Sequence, residues 1–411
     1  MKMIYKSFPL RRISPMDGHY FFGYYDIQPI NAKGNLHLAH KVDFTDRLQR
    51  RGESVELGLI EMGTDKFERL DTTQAWCFQQ GAMLQWNPAA PDDEIVYNCF
   101  DGNDYYATVM NIHTGAKRYL DRPVANISPK GDYALSVNFD RLFKFRAGYG
   151  YAGQGDPFHY DNHSDKDGIF LIDMKTGKSK MILSLQQIWD FYGEKTYGCD
   201  KKIIVNHITF NTDGSRFLAI VRDFPPKGQG HTSVTITANR DGSDMFLLSG
   251  GGVQSHYHWK DTDTLAFFYD AKELNCGRGW ANNYEIKDKK YEGKVMCDGY
   301  FWYDNHMSYS PDRKLLLTDS YPFSYGQVLT IVDLERNLAV ETGRYHTMIP
   351  CTECWCCDLH PAWSPSGKLA SIDSTHEGLR AIYTLDVDEV REYLKTVDDN
   401  NLPYNVEWMP C

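Results

Sequence analysis

The sequence predicts an all-β protein, a seven-bladed β-propeller with four antiparallel strands in each blade around a central channel. The main observation is a histidine placed three residues before an aromatic residue that opens a turn. It occurs four times, with His207 before Phe210, His256 before Trp259, His306 before Tyr309 and His360 before Trp363. Three weaker copies, without the histidine, end at Ile30, Trp86 and Ile127. The spacings between the seven copies are 56, 41, 83, 49, 50 and 54 residues, and periods of about 40–50 residues are typical of propeller blades.

The segments between these anchors supply the other strands of each blade. Trp363 is followed by Ser-Pro-Ser-Gly and Tyr309 by Ser-Pro-Asp, and such residues favour tight turns. A second, apolar strand comes next, as at 216–221 and 369–372, and a third strand at 168–173 runs into a Lys-Thr-Gly turn. We therefore expect one domain, residues 1–411, whose blades begin near residues 20, 76, 121, 203, 253, 303 and 357. A closed ring of blades leaves only short, protected strand edges.

Two stretches depart from the repeat. The 83-residue spacing contains an insertion at 141–166, rich in glycine, tyrosine, histidine and aspartate. A long loop in a compact fold is usually functional, so we expect this one to cover part of the mouth that carries the histidines. Residues 386–395 predict a short helix, and a strand within 4–12 is expected to close the ring against the last blade.

Composition limits the classes of partner. The chain is 42% hydrophobic and 14% aromatic, enough for a large core, and its net charge is −11. An acidic protein has no field that attracts nucleic acid or an anionic membrane, so we expect neither as a partner. Met1–Phe8 lacks the apolar run of a signal peptide, which favours a cytoplasmic protein with its ten cysteines reduced. Cys351, Cys354, Cys356 and Cys357 leave a structural zinc site as an alternative.

The chemistry is expected at one mouth of the channel. The first strand of a blade lines the channel and the second runs antiparallel to it, so the four histidines and the ends of the second strands share one mouth. Arg141, Arg222, Asp319 and the tyrosines after Phe22 join the same rim. Imidazoles packed together are unfavourable unless they share a cation or a ligand. Neutral imidazoles with a carboxylate suit manganese, zinc or iron.

In its four His-x-x-aromatic repeats and its seven units, the chain resembles the oligogalacturonate lyases. The resemblance extends from about residue 20 to 387. The resemblance implies a cytosolic propeller that cleaves uronate disaccharides by β-elimination at one divalent metal, most often Mn²⁺. It implicates His306 and His360 as metal ligands and His256 as the base. The family's His-Pro-His reads Asp358-Leu359-His360 here, so Asp358 becomes a ligand. The family's glutamine ligand falls on Trp355, so another ligand would come from elsewhere, with His207 or His376 as candidates.

The residues also permit a mechanism. An arginine and a cation would bind the uronate carboxylate, and a neutral histidine with an unperturbed pKa near 6.5 would remove the neighbouring proton. We expect His256 as the base, His207 as the second choice, and Arg222 or Arg141 as the carboxylate clamp. The candidate substrate contacts are Tyr24, Tyr25, Arg141, Tyr149, Tyr151 and His376.

Two other readings stay open. Trp-Ser-Pro-x-Gly turns also occur in the non-catalytic propeller of the Tol-associated periplasmic protein, and the turns alone indicate only the fold. The four histidines and the missing export signal favour an enzyme instead. A hydrolase or isomerase of acidic sugars could use the same scaffold. Only elimination creates a conjugated double bond that absorbs in the near ultraviolet, so the product separates these enzymes.

Overall fold

The protein is a seven-bladed β-propeller, as the sequence predicts. The computed structural model describes residues 1–226, 229–271, 281–322, 326–348, 352–399 and 402. Within these residues the chain forms 29 β-strands, three α-helices and one short 3₁₀ helix, and the strands make seven sheets. None of the described helices is both long and apolar enough to cross a membrane.

The strands follow one another blade by blade, after two strands at the N-terminus, β1 (Lys2–Tyr5) and β2 (Leu10–Arg12). Blade 1 contains β3 (His19–Phe21), β4 (Leu36–Val42), β5 (Val55–Glu61) and β6 (Lys66–Thr73). Blade 2 contains β7 (Gln85–Trp86), β8 (Glu94–Phe100), β9 (Tyr105–Asn111) and β10 (Lys117–Leu120). Blade 3 contains β11 (Asn126–Ile127), β12 (Tyr133–Ser136), β13 (Gly168–Asp173) and β14 (Ser179–Ser184).

The second half of the ring repeats this order. Blade 4 contains β15 (Ile203–Phe210), β16 (Arg216–Asp223), β17 (Ser233–Asn239) and β18 (Phe246–Ser249). Blade 5 contains β19 (Gln254–Trp259), β20 (Thr264–Asp270), β21 (Ala281–Lys287) and β22 (Gly293–Val295). Blade 6 contains β23 (Met307–Tyr309), β24 (Leu315–Asp319), β25 (Gly326–Asp333) and β26 (Leu338–His346). Blade 7 contains β27 (Ala362–Trp363), β28 (Leu369–Ser374) and β29 (Ala381–Asp386).

The N-terminal strands close the ring in two places. β2 pairs antiparallel with β29 and becomes the outermost strand of blade 7, as expected for a strand within 4–12. β1 does not join that blade. It pairs in parallel with β26, so blade 6 has five strands. The start of the chain therefore ties the last two blades together.

The core lies between the blades. Every residue of β16 after Arg216 is buried, and alternate side chains enter different clusters. Leu218 and Ile220 pack with residues of blade 5, whereas Phe217 and Val221 enter the cluster that includes blades 1 to 3. Because each sheet has a neighbouring blade on both faces, this strand is a continuous apolar run rather than an alternating one.

Three helices interrupt the repeat. The predicted C-terminal helix is confirmed as α3 (Val387–Thr396), capped by the Asp386 side chain. The sequence reading missed α1 (Phe139–Phe145) and α2 (Leu185–Tyr197). A reciprocal capping box between Ser184 and Gln187 starts α2, and the Ser-x-x-Gln spacing is a recognised helix-start signal.

Arg141 fixes the insertion against blade 4. The connection between β12 and β13 begins with α1, and its Arg141 side chain is fully buried. The guanidinium pairs with Asp156 at 3.0 Å and donates to the carbonyls of Ile203, Phe158, Asp161 and Asn162. All these acceptors except Ile203 belong to the insertion itself. Arg141 thus links three parts of the insertion to one another and to blade 4.

Candidate active site

Three of the histidine rings form a row at one end of the channel. His256 lies within β19, His306 just before β23 and His360 just before β27, all three on the innermost strands of blades 5, 6 and 7 or beside them. The ring centroids of His256 and His306 are 4.2 Å apart, and those of His306 and His360 are 4.5 Å apart. His207 on β15 lies further away, 6.3 Å from His256. Histidines that occupy the same position in successive repeats therefore lie next to one another in the structure.

His306, Asp358 and His360 form a candidate metal centre. Their ligand atoms all lie within 4.8 Å of one another, and all three side chains are buried. In the described part of the chain, the Nε2 atoms of His306 and His360 have no hydrogen-bond partner. A buried polar atom without a partner is unfavourable, so these orphaned nitrogens fit coordination of a cation. Two imidazoles and a carboxylate are suitable ligands for Mn²⁺ or Zn²⁺.

Asp319 at the end of β24 orients His306. Its carboxylate accepts the backbone N–H of His306 at 2.9 Å and lies 2.9–3.0 Å from Nδ1. This contact favours a proton on Nδ1, so in the neutral ring the lone pair is on Nε2, on the side of Asp358 and His360. Burial pushes the pKa of His306 down, but Asp319 and Asp358 outweigh it and raise that pKa above its usual value. Burial raises the pKa of Asp358. A divalent cation would compete with both protons.

His360 is held in a strained conformation. Its φ of +42° lies in the left-handed region, which a residue other than glycine seldom adopts. Burial holds its pKa well below the usual range, so the imidazole is neutral, as a metal ligand must be. Strain of this kind persists only where the surroundings impose it, and it is concentrated at functional sites.

His256 is oriented by a second carboxylate. Its Nδ1 lies 2.8 Å from Asp304 Oδ1, which favours the proton on Nδ1 and leaves Nε2 as the basic nitrogen. Burial lowers the pKa of His256 despite the nearby Asp304. The ring is therefore a neutral imidazole beside the candidate metal centre.

Tyr24 and Tyr25, in the connection between the first two strands of blade 1, pack against the histidine rings. The Tyr24 ring stacks on His207, and its hydroxyl lies 3.3 Å from His207 Nε2. Tyr25 donates to the Tyr257 carbonyl at 2.6 Å and accepts the Tyr257 N–H, while its ring contacts His256 and His306. Burial, reinforced by the Arg222 guanidinium, lowers the pKa of His207 well below its usual value. His207 is thus held by Tyr24 rather than by the metal triad.

A cavity of about 490 Å³ opens beside this cluster. Arg222 projects into it, anchored through Nε to Ser233 Oγ at 3.2 Å and through Nη2 to the Gln254 carbonyl at 3.4 Å. The insertion contributes Arg146 and Tyr149, so it does cover the mouth that carries the histidines. The titratable residues of the wall are Arg146, Tyr149, His207, Arg222, His231, His256, Asp270, Asp304 and Tyr321.

Of the six predicted substrate contacts, Tyr149 lines this cavity and five do not, with Tyr24 and Tyr25 packed against the histidine rings instead. Arg141 is buried and its hydrogen bonds are used within the insertion and blade 4, so it is a structural residue and not the carboxylate clamp. Tyr151 stacks on Phe139 and accepts from Asn98, also buried. His376 packs on Tyr345 and Tyr383 and does not line the cavity. Each is a residue type that can bind a sugar, but its side chain already packs or forms hydrogen bonds within a blade or the insertion.

The sequence reading missed two residues of the site. Asp304 precedes His306 by two positions, the same Asp-x-His spacing as Asp358 and His360, and that signal could have found it. Arg146 lies in the insertion, where its position depends on the fold of the loop. Of the cysteine cluster, Cys351 lies outside the described residues. Cys354, Cys356 and Cys357 are free thiols, and among described side chains the triad is the group that converges as metal ligands do.

These features define a seven-bladed propeller with a candidate His-Asp-His metal centre at one mouth. No family model matches the sequence, and no curated protein matches it significantly. Solved structures do match this chain. An oligogalacturonate lyase in complex with manganese superposes with a TM-score of 0.64 at 15% identity, covering 93% of this chain and 96% of that chain.

An oligogalacturonate lyase from Vibrio parahaemolyticus superposes with a TM-score of 0.62 at 13% identity, covering 93% of this chain and 94% of that chain. The likeness extends over nearly the whole of both chains. It shows that this chain shares the propeller fold of these lyases. The resemblance expected from the sequence is therefore confirmed for the fold.

Proposed function

We propose that the protein is a metal-dependent lyase that cleaves a small uronate-containing oligosaccharide by β-elimination. The observation that carries the proposal is the pair of orphaned imidazole nitrogens on His306 and His360, which converge with Asp358 next to a neutral His256. The manganese complex of a lyase with the same fold supports Mn²⁺ as the metal. A location in the cytosol is part of this proposal.

The chain's own residues can divide the reaction among them. Arg222 binds the substrate carboxylate through the side of its guanidinium that faces the cavity. His256 Nε2 removes the proton from the carbon next to that carboxylate, and Asp304 stabilises the resulting imidazolium. The electron pair of the C–H bond forms a carbon–carbon double bond as the bond to the glycosidic oxygen breaks.

The leaving oxygen needs a proton. Burial raises the pKa of Tyr149 to about 12, so its hydroxyl remains protonated at neutral pH and can donate. Tyr149 lines the same cavity as Arg222 and His256. A divalent cation bound to His306, Asp358 and His360 would withdraw electrons from the substrate carboxylate and make the neighbouring C–H bond more acidic. Products would be an unsaturated uronate and a sugar with a free hydroxyl.

Product absorbance tests the proposal. Manganese-loaded protein is incubated with a panel of uronate disaccharides, and near-ultraviolet absorbance follows the conjugated double bond. We expect absorbance with wild type and with His113→Ala, a control whose side chain is 59% exposed. His256→Ala should lose the signal while keeping the metal.

The alternatives give different results. New reducing ends without absorbance would indicate a hydrolase, and an isomerised sugar without cleavage would indicate an isomerase. Binding without any turnover, with His256→Ala binding as wild type does, would favour a non-catalytic propeller. Each of these outcomes would refute the lyase.

A further inference from the structure

A second cavity, of about 410 Å³, lies at the opposite end of the channel from the histidine row. Its wall contains the residues that end the innermost strands of blades 4 to 7 and the turns that follow them. The charged side chains of this wall are Asp26 and Arg313. Its aromatic residues are Tyr25, Phe210, Tyr257, Trp259, Tyr309 and Trp363. The cavity therefore combines a large apolar surface with two opposite charges.

Arg313 stands where four other blades have a glycine. Its N–H donates to the Ser310 carbonyl at 2.8 Å and closes the turn after the innermost strand of blade 6. The same hydrogen bond closes this turn in blades 1, 3, 4 and 7, where its donor is a glycine with a φ of +69° to +75°, namely Gly34, Gly131, Gly214 and Gly367. Arg313 has a φ of +62°, which a residue with a side chain seldom adopts. Strain of this kind is concentrated at functional sites.

The guanidinium of Arg313 has no anion of its own. Among the described residues it makes no ion pair and no side-chain hydrogen bond, whereas Arg141 pairs with Asp156 and Arg216 with Asp288. Burial lowers the pKa of Arg313, and the Asp261 carboxylate opposes that effect only from a distance. Asp261 instead accepts the N–H groups of its own turn, at 2.8–3.0 Å. The donors of Arg313 are therefore available to a ligand in the cavity.

Trp259, in the neighbouring blade, also departs from the repeat. The tryptophans that end the innermost strands of blades 2 and 7 each donate from Nε1 to a carbonyl of the preceding blade, that of Pro29 and that of Ser308, both at 3.1 Å. In the described structure, Trp259 Nε1 and the Ser308 hydroxyl have no partner, and these residues are 4% and 3% exposed. Both line the same cavity as Arg313. Enclosed donors without a partner are unfavourable unless a bound group accepts from them.

We propose that this second cavity binds a small organic anion, with its carboxylate or phosphate group on Arg313 and an apolar body against the aromatic wall. A planar guanidinium binds either group through two parallel hydrogen bonds. Asp26 would repel the acidic group from the inner end of the cavity, because it also lines the small space behind Tyr24. The site does not rest on the proposed lyase activity. Tyr25 lies between the two sites, since it lines this cavity and its ring contacts His256 and His306.

Ligand-detected fluorine NMR tests the site with three probes of similar shape. The probes are 4-fluorobenzoate, 4-fluorophenyl phosphate and the neutral 4-fluorobenzamide. Wild type should bind at least one of the two anions more tightly than the amide, and the tighter anion identifies the acidic group. Arg313→Gly should weaken binding of that anion about 10-fold or more and change amide binding by less than about twofold. This variant should fold normally, because glycine is the residue that four other blades have at this position.

The control variants locate the bound probe. Lys314→Gln removes the exposed cation next to Arg313, and Arg222→Gln removes a cation of the other cavity, so neither should change anion binding. Circular dichroism checks the fold of each variant. Weakening by Arg222→Gln but not by Arg313→Gly would assign the probe to the candidate active site and overturn the proposal. Equal weakening of the anion and the amide, or no binding of either anion, would also overturn it. The readout involves no turnover, so this site and the lyase activity can fail independently of each other.

Discussion

Replacing Asp319 by asparagine tests how the metal centre is built. The carboxylate holds both the backbone N–H and Nδ1 of His306, at 2.9–3.0 Å, from a position that is 3% exposed. Asparagine has nearly the same size, so the strand keeps its packing. Its amide oxygen can accept the backbone N–H, but its NH₂ group then faces Nδ1. His306 would respond by moving its proton to Nε2, the atom that the metal needs.

The expected loss of Mn²⁺ affinity can be estimated from this movement of the His306 proton. Changes in groups that orient metal ligands cost about 10- to 100-fold in affinity, or about 1.4–2.7 kcal/mol. At a Mn²⁺ concentration about 100 times the wild-type Kd, binding stabilises the wild type by about 2.7 kcal/mol. A 30-fold weaker variant would retain about 0.9 kcal/mol of that stabilisation. Manganese should therefore protect the variant against denaturant much less than wild type.

The assay is calorimetric Mn²⁺ binding combined with urea unfolding, with and without the metal. Asp223→Asn is the matched control, because Asp223 ends the second strand of blade 4 and accepts the Thr232 N–H. His360→Ala is the positive control and should abolish binding with the fold intact. Unchanged Mn²⁺ affinity in Asp319→Asn would refute the assignment of His306 Nε2 as a ligand.

Two further predictions concern pH and the insertion. Mn²⁺ affinity should fall as the pH drops from about 8 to about 5.5, through the raised pKa of His306, because only the neutral imidazole is a ligand; an affinity independent of pH in calorimetry would contradict this. Arg141→Ala should destabilise the protein by about 3–5 kcal/mol, because it leaves the buried Asp156 unpaired. A change below about 1 kcal/mol in urea unfolding would show that Arg141 does not hold the insertion.

The repeat made the ring of blades predictable from sequence. Each blade buries both faces of its sheet, so apolar strands and turn residues recur at regular spacing, and His256, His306 and His360 come together because they occupy the same position in successive blades. The Asp-Leu-His order placed Asp358 beside them. These are consequences of strand register, which local sequence reports well.

The insertion has no such register, and the sequence reading was weaker there. Arg141, Arg146, Tyr149 and Tyr151 belong to one loop of suitable composition, yet Arg141 and Tyr151 are buried structural residues whereas Arg146 and Tyr149 face the cavity. Which of them faces inward depends on long-range hydrogen bonds, such as that from Arg141 to the carbonyl of Ile203 in blade 4. Tertiary contacts therefore determine which residues of the insertion face the cavity, and a local sequence pattern does not contain that information.

The charges around the site bear on the kind of substrate. A divalent cation held by two neutral imidazoles and the Asp358 carboxylate would carry a net charge of about +1, with Asp319 bonded to His306 behind it. Arg146 and Arg222 add two positive charges to the cavity wall, which also carries the carboxylates of Asp270 and Asp304. A neutral sugar has no charge that these cations could attract, and it would have to displace the water that solvates them. The carboxylate of the substrate proposed above would be attracted by both the cation and Arg222. The anionic substrate proposed above is thus consistent with the charges of the site, although the net charge of the whole chain is −11.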